Sequence, residues 1–194
     1  MARRLVDLSH PIITGMTTYP GMPAPQVDTF ISREESAERL GSGVSFHVGR
    51  LCLVANTGTY LDAPFHYHPH GVDVAALDLA RLADLPALVV DARAHRAIGP
   101  ELVAALGGAR GAAVLVHTDW SRHWGTDAYL AGSPFLTEAA VRVLVESAVA
   151  LVGIDSLNID DVADLTRPAH RLLLGAGIPI VEHLTGLEAL PPSG

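Results

Sequence analysis

The sequence of 194 residues predicts an α/β fold: a single domain, 1–194, with a mixed central sheet. After residue 85, apolar runs of strand length alternate with helical patterns, as they do in layered α/β domains. These runs are rich in valine and leucine and have almost no polar alternation, which is typical of strands covered on both faces. The connections between them are short, so we expect mixed strand directions.

The strands are predicted from apolar composition and turn signals. The first 45 residues are rich in Gly, Pro and Thr and are interpreted as loops and edge strands. Residues 46–66 follow as an extended run. Four buried strands are predicted at 86–92, 112–118, 148–154 and 178–182.

Three helices are predicted between or beside these strands. Residues 100–106 begin with proline and end at Gly107-Gly108. Residues 137–148 have Thr137 as N-cap and an apolar stripe on one face. Residues 170–174 form a short helical turn that Gly175 closes.

Composition excludes several classes of function. The chain has 13 basic and 21 acidic residues, a net charge of −8, which disfavours nucleic acid as a partner. All the basic residues are arginines, so Schiff-base chemistry and a P-loop are excluded. The single Cys52 cannot form an internal disulfide, which fits the cytoplasm, and we expect no membrane span and no organic cofactor.

The most informative segment is 56–70, Asn-Thr-Gly-Thr-Tyr-Leu-Asp-Ala-Pro-Phe-His-Tyr-His-Pro-His. Alternate side chains of a strand share a face, so Asn56, Tyr60 and Asp62 point the same way if the run stays extended. An acid and a base, Asp62 and His66, are crowded into a stretch of small and apolar residues. This crowding favours a functional site over a structural role for the pair.

Two further candidates, His170 and Glu182, lie near the C-terminus. Glu182 ends an apolar strand, where a buried carboxylate needs a partner. Either Arg171, in a structural salt bridge, or a metal ion can be that partner, and spacing alone favours the salt bridge.

Segment 56–70 resembles the signature of the metal-dependent cyclase/hydrolase family that includes bacterial kynurenine formamidase and isatin hydrolase, His-x-Gly-Thr-His-x-Asp-x-Pro-x-His. The resemblance extends in order over nearly the whole chain. Its other matching segments are Asp7 to Ile12, Tyr19-Pro20-Gly21, Ala87 to Ala92, Thr118-Asp119-Trp120, Phe135 to Ala140, Val152 to Ser156, His170-Arg171 and Ile180 to Leu184.

The resemblance implies a swivelling β/β/α fold, a homodimer or higher homo-oligomer, and hydrolysis of an aryl or cyclic amide at a zinc or manganese centre. It also implies a small aromatic substrate, with tryptophan catabolism as the setting. In family members with two metals, the two first motif histidines and the aspartate bind one ion. The aspartate, a later histidine and a later glutamate bind the second, and the last motif histidine is the acid/base.

Carried over to this chain, the resemblance makes Asp62, His170 and Glu182 the ligands of the second ion and His66 the acid/base. Asn56 and Tyr60 replace the two histidines of the first ion, and their oxygens are weak zinc ligands near pH 7. We therefore expect the first site to be empty or to hold a weakly bound hard cation.

The chain also departs from the family at Asp119, in place of a glycine, and at His183, in place of an asparagine. Both changes are expected to bring polar groups near the site. Relatives continue for about another strand beyond position 194, so we expect either a shortened C-terminus or a second chain that covers the exposed edge.

The leading hypothesis is a hydrolase with one divalent ion, in which water fills the fourth position and His66 transfers protons. Tyr60 would donate a hydrogen bond to the oxyanion, and Asn56, Phe65, Asp119 and Trp120 would contact substrate. The alternatives are a relative that works without metal, as a cyclase, dehydratase or isomerase with Tyr60 and His66 as the acid/base pair, and a catalytically silent subunit. Activity in EDTA distinguishes the metal-free enzyme from the metal-dependent hydrolase.

Overall fold

The structure, a computed structural model, describes residues 4–106 and 109–191. The chain forms two compact units, residues 11–58 and the remainder, and each is described separately. Two parts of the predictions fall outside the described residues. They are the helix end at Gly107-Gly108 and the last three residues of the short C-terminus.

The smaller unit contains strand β1 (Gln26–Ile31), helix α1 (Arg33–Arg39) and strand β2 (Val48–Cys52). The strands pair antiparallel, with an irregularity between Thr29 and Ile31. Helix α1 was not predicted, although its signal is present in the sequence. Ser32 accepts a hydrogen bond from the Glu35 amide while the Glu35 carboxylate accepts one from the Ser32 amide, which is a capping box.

The larger unit holds the other strands and helices. The strands are β3 (Tyr60–Asp62), β4 (Ala87–Asp91), β5 (Ala97–Ile98), β6 (Ala113–His117), β7 (Phe135–Leu136), β8 (Leu151–Ile154) and β9 (Ile180–Glu182). The helices are α2 (Pro100–Ala104), α3 (Glu138–Glu146) and α4 (Pro168–Gly175). Short 3-10 turns, one of them Pro64–His66, fill several of the connections.

Five of these strands form one sheet in the order β3-β9-β8-β6-β4. Strands β4, β6, β8 and β9 are parallel, and β3 pairs antiparallel with β9. The prediction of an α/β fold with a mixed central sheet is therefore confirmed. Strands β5 and β7 form a separate parallel pair.

The sheet is buried on both faces, as its continuous apolar runs predict. One face packs against α2, α3 and α4 through a cluster that includes Val116, Leu144, Ile154 and Leu173. The opposite face is covered by side chains from turns and extended segments, among them Leu187. Among the described residues, no helix is both long enough and apolar enough to cross a bilayer.

Candidate metal centre

Two candidate residues, Tyr60 and Glu182, face each other across the β3–β9 pair. In the antiparallel register Tyr60 lies opposite Glu182, and Asp62 lies opposite Ile180. Residues opposite each other, and residues two positions apart, lie on the same face of a sheet. Tyr60, Asp62 and Glu182 therefore share one face with Ile180, which packs in the same cluster as Leu173 of α4.

Helix α4 brings His170 to this face. Pro168 occupies the first helical turn, where its missing N–H costs nothing. Asp160, from the loop after β8, accepts hydrogen bonds from the backbone amides of Ala169 (2.6 Å) and His170 (3.1 Å). Its Oδ2 also lies 2.6 Å from His170 Nδ1. The helix start and the imidazole are thus fixed by one buried carboxylate.

The other ring nitrogen of His170 is directed at the two carboxylates on the sheet. His170 Nε2 lies 3.6 Å from Asp62 Oδ2 and 3.7 Å from Glu182 Oε1. These separations are longer than hydrogen bonds and suit groups that share a cation between them. Arg171, the alternative partner considered for Glu182, has no ion pair with it among the described residues.

His66 completes a compact set of possible ligands. Its Nε2 lies 3.8 Å from Asp62 Oδ1, and one ligand atom from each of Asp62, His66 and His170 lies within 4.8 Å of the others. His66 ends the 3-10 turn that Pro64 begins, and it is exposed whereas Asp62 and His170 are buried. Glu182 is not a member of this set, although it neighbours His170.

The electrostatics of the buried groups fit a divalent cation. Burial alone lowers the pKa of His170, but the hydrogen bond to Asp160 and the nearby carboxylates of Asp62 and Glu182 raise it to about 10. Burial raises the pKa of Glu182. Without a metal, His170 is therefore an imidazolium beside two carboxylates, so the site already attracts positive charge. Carboxylate oxygen and imidazole nitrogen are ligands that suit zinc and manganese.

Glu182 is held by two donors besides its neighbours in the cluster. Its Oε1 accepts a hydrogen bond from the Ile159 amide at 2.7 Å, and its Oε2 accepts one from the Tyr60 hydroxyl at 2.5 Å. The proton of Tyr60 is therefore directed at Glu182, and Tyr60 must change partner to donate to an oxyanion. Its predicted role as oxyanion donor stays a prediction.

The predicted substrate-binding residues have local contacts of their own, and their role toward substrate stays a prediction. Phe65 lies beside His66 in the 3-10 turn and is 58% exposed. The Trp120 indole N–H donates to the Tyr129 carbonyl oxygen at 3.1 Å, and the Asp119 carboxylate pairs with Arg122 at 2.8 Å. Asn56 belongs to the smaller unit, where its carbonyl oxygen accepts a hydrogen bond from Thr18.

Aromatic residues that the sequence did not single out lie beside the candidate ligands. Tyr67 stacks on His170 with ring centroids 4.8 Å apart. Trp124, rather than Trp120, packs its ring edge-on against His183, which directly follows Glu182. The sequence carries no direct signal for Trp124. Position 183 could be singled out from the sequence, because His183 stands where the family has an asparagine.

Comparison with known proteins finds a family model and relatives that match most of this chain. The Cyclase family model matches residues 6–161. Kynurenine formamidase from Bacillus cytotoxicus is 30% identical over 94% of this chain and 83% of its own length.

Solved structures agree in fold. A structure described as a "potential metal-dependent hydrolase with cyclase activity" is 29% identical, with a TM-score of 0.77 over 97% of this chain and 84% of its own. Isatin hydrolase A from Ralstonia solanacearum is 25% identical, with a TM-score of 0.75 over 98% of this chain and 82% of its own. These relatives support the prediction of a metal-dependent amide hydrolase. From the matched length and the shared fold, this chain is a member of the Cyclase family.

Proposed function

We propose that the protein is a metal-dependent, arylformamidase-like hydrolase that opens an aryl or cyclic amide with one divalent ion. The observation that carries the proposal is the convergence of Asp62, His66 and His170, whose ligand atoms lie within 4.8 Å of one another. Kynurenine formamidase and isatin hydrolase among the relatives support the same reaction class.

Asp62, His170 and Glu182 would hold the ion. The cation supplies Lewis-acid chemistry when bound, since it lowers the pKa of a water and polarises a carbonyl group. The chain's own contribution begins with Asp160, which keeps the Nδ1 side of His170 occupied so that Nε2 faces Asp62 and Glu182. Ile159 and Tyr60 similarly fix the Glu182 carboxylate.

His66 would accept the proton of the attacking water and return it to the leaving nitrogen. Its imidazole is exposed, so substrate and water can reach it, and its Nε2 lies 3.8 Å from Asp62 Oδ1, one of the proposed ligand atoms. A general acid/base placed in this way contributes about 10²–10⁴ to the rate. Neutral release of the aryl amine needs this proton because an amide nitrogen is a poor anionic leaving group.

The proposal extends to the setting of the enzyme. We propose a small aromatic substrate, zinc or manganese as the ion, and a homodimer or higher homo-oligomer. The cytoplasm is the proposed location, which the single Cys52 supports because it leaves no internal disulfide to form.

Two measurements test this function together. Protein purified without chelators is expected to contain one ion per chain by elemental analysis and to hydrolyse formanilide or isatin. EDTA should abolish the activity, and Mn²⁺ or Zn²⁺ should restore it. Less than about a tenth of an ion per chain, with affinity unchanged in Asp62→Ala, contradicts metal dependence. Activity that persists in EDTA favours the metal-free alternative, in which Tyr60 and His66 act alone.

One substitution, with a matched control, separates the role of acid/base from that of a ligand at His66. His66→Gln is expected to keep the metal content and to lower kcat by about 10²–10⁴. His95→Asn, at an exposed histidine outside the cluster, is the matched control and should retain activity. Loss of the ion in His66→Gln would instead make His66 a ligand.

A further inference from the structure

A cavity of about 180 Å³ opens beyond the carboxyl ends of β4 and β6, in the larger unit. The segment after β4 lines it with Arg93 and Arg96, and the segment after β6 lines it with Trp120 and Arg122. In α/β sheets, ligands bind in the crevice outside the carboxyl ends of the strands. The described lining of this arginine cavity includes no candidate metal ligand. The cavity is therefore a place for a second ligand, apart from the residues proposed to hold the ion.

The charge around the arginine cavity is opposite to that of the chain as a whole. Its described lining contains three arginines and no aspartate or glutamate, in a chain of net charge −8. A neighbouring cavity of about 220 Å³ shares Arg93 but is also lined by Asp91 and Glu188. Of these two cavities, only the first has a described lining without carboxylates. Clefts lined by charge of one sign concentrate ligands of the opposite sign, so the arginine cavity suits an anion.

Carboxylates outside the lining fix two of these arginines. Arg93 donates from Nε and Nη2 to the Asp91 carboxylate at 2.8 and 2.6 Å. Arg122 donates from Nη1 to Asp119 at 2.8 Å and from Nε to His123 at 3.1 Å. Exposed ion pairs of this kind add little to stability. They do orient the guanidinium groups, which lowers the entropic cost of binding a ligand.

Arg96 is held in a different way. Its Nε donates to the Gly132 carbonyl oxygen at 3.3 Å, and its Nη2 donates to Asp161 at 3.4 Å. Its guanidinium carbon lies 5.1 Å from the centroid of the Phe135 ring, within the distance of a cation–π interaction. A carbonyl oxygen, a carboxylate and an aromatic ring therefore keep this third guanidinium in place.

Each guanidinium keeps one terminal amino group for a ligand. The Nη1 groups of Arg93 and Arg96 and the Nη2 group of Arg122 have no hydrogen-bond partner among the described residues. Each of these amino groups carries two N–H donors. A planar carboxylate has two oxygens, which one or two guanidinium groups satisfy. A phosphate group has three terminal oxygens, which match three arginines.

The loop that carries Arg122 is built at a backbone cost. Asp119 adopts φ of 61°, in the left-handed region that glycine enters freely. Its carboxylate is the group that pairs with Arg122. The buried Asp155 fixes the same loop, because it accepts hydrogen bonds from the Thr118 and Asp119 amides at 2.7 and 2.9 Å. Aspartate at this position thus holds Arg122 in a way that glycine, which has no side chain, could not.

We propose that the arginine cavity binds a phosphate group, either as free phosphate or as the phosphomonoester of a small molecule. The terminal amino groups of Arg93, Arg96 and Arg122 donate to the phosphate oxygens. At neutral pH such a group carries a charge of about −1.5 to −2, which suits a site with several guanidinium groups. This site goes beyond the proposed hydrolase and does not depend on it.

Titration with inorganic phosphate at constant ionic strength tests the site. Both tryptophans of the chain, Trp120 and Trp124, lie in the 3-10 turn Trp120–His123 or directly after it, so intrinsic fluorescence should follow binding. Calorimetry is expected to show saturable binding of one phosphate per chain, with acetate weaker by about tenfold or more. Glycerol 3-phosphate is the second arm of the titration. Whichever of the two phosphates binds more tightly identifies the ligand as the free ion or an ester.

Arg93→Gln and Arg122→Gln are each expected to weaken phosphate binding by about tenfold or more, because each removes charged donors from the cavity. Arg142→Gln is the matched control and should keep the wild-type affinity, since Arg142 forms an exposed ion pair with Glu138 on α3. The absence of saturable binding, or equal affinity for acetate, overturns the proposal. So does an affinity that is unchanged in both cavity variants, which is the result expected if phosphate binds at the metal centre instead.

A measurement on the unaltered protein covers the case in which these variants do not fold. In protein labelled with ¹⁵N-arginine, phosphate should shift the side-chain Nε–H resonances of Arg93, Arg96 and Arg122 and leave that of Arg142 in place. Shifts confined to other arginines, or no shift at all, overturn the proposal.

Discussion

Asp160 Oδ2 lies 2.6 Å from His170 Nδ1, and both side chains are buried. The same carboxylate accepts the first amides of α4, so one residue starts the helix and orients the imidazole it carries. Partners of this kind on the far nitrogen of a ligating histidine fix the ring and raise its basicity.

Asp160→Asn is therefore expected to weaken divalent-metal binding about 10–100-fold, because the carboxylate that orients His170 loses its charge. Titration calorimetry with Mn²⁺ or Zn²⁺ measures the effect. Asp161→Asn is the matched control, since that neighbouring carboxylate pairs with Arg96 instead. Equal affinities in wild type and Asp160→Asn would contradict a role for Asp160 at the metal centre.

The central strands could be predicted because they are continuous apolar runs covered on both faces. The predicted run 112–118 contains β6 (Ala113–His117), and 148–154 contains β8, which begins later at Leu151. The residues between the predicted start at 148 and the observed start of β8 include a turn, in which Ala148 adopts φ of 51°. A conformation of that kind leaves no trace in apolar composition, so the boundary could not be predicted.

The extended run 46–66 shows a second limit. It is broken into β2, β3 and a 3-10 turn. Of the candidate site residues in this run, only Tyr60 and Asp62 lie in the same strand, so only these two share a face through strand alternation. Asp62 and His66 still meet, because the turn that Pro64 starts brings the imidazole back toward the strand. Ile159 and Tyr60, the partners that fix Glu182, lie 23 and 122 positions away from it in the sequence. Their pairing depends on how the sheet and helices pack, which no local pattern contains.

Leu144→Ala is expected to lower the free energy of unfolding by about 2–5 kcal/mol, because its side chain fills the core between α3 and the sheet. Chemical denaturation measures the change. Leu165→Ala is the control, since Leu165 is 87% exposed and should shift stability by no more than about 0.5 kcal/mol. Similar losses in both variants would contradict this packing.

The two-stranded β1–β2 sheet is expected to pack against a second copy of the chain. Phe30 and Leu51 are 63% and 66% exposed, and Val27 lies opposite Leu51 in the pair. A two-stranded sheet with apolar exposed residues is marginal in water unless something covers it. We expect wild type to sediment as a dimer or larger assembly of the 20.4-kDa chain, and Leu51→Asp to sediment as the monomer. Glu34→Gln, on α1, is the control. A monomeric wild type contradicts the prediction.

The buried His183 should make stability depend on pH. Burial, followed by the charge of His10, lowers its pKa from 6.5 to about 3 in the folded protein. Between these values the unfolded chain binds a proton at His183 that the folded protein does not, so stability falls as the pH falls through this window. Above pH 6.5 the ring is neutral in both states, so this loss of stability is absent.

His183→Asn removes this titration and isolates it from the carboxylates, which remain in both proteins. Asparagine also tolerates the left-handed backbone at this position, so the variant should fold. From pH 6 down toward pH 4, wild type is expected to lose about 1.4 kcal/mol more stability per pH unit than the variant. Urea denaturation of both proteins at a series of pH values measures the difference. Parallel stability curves would mean that His183 can take up a proton without unfolding, and its ring would then be accessible to water.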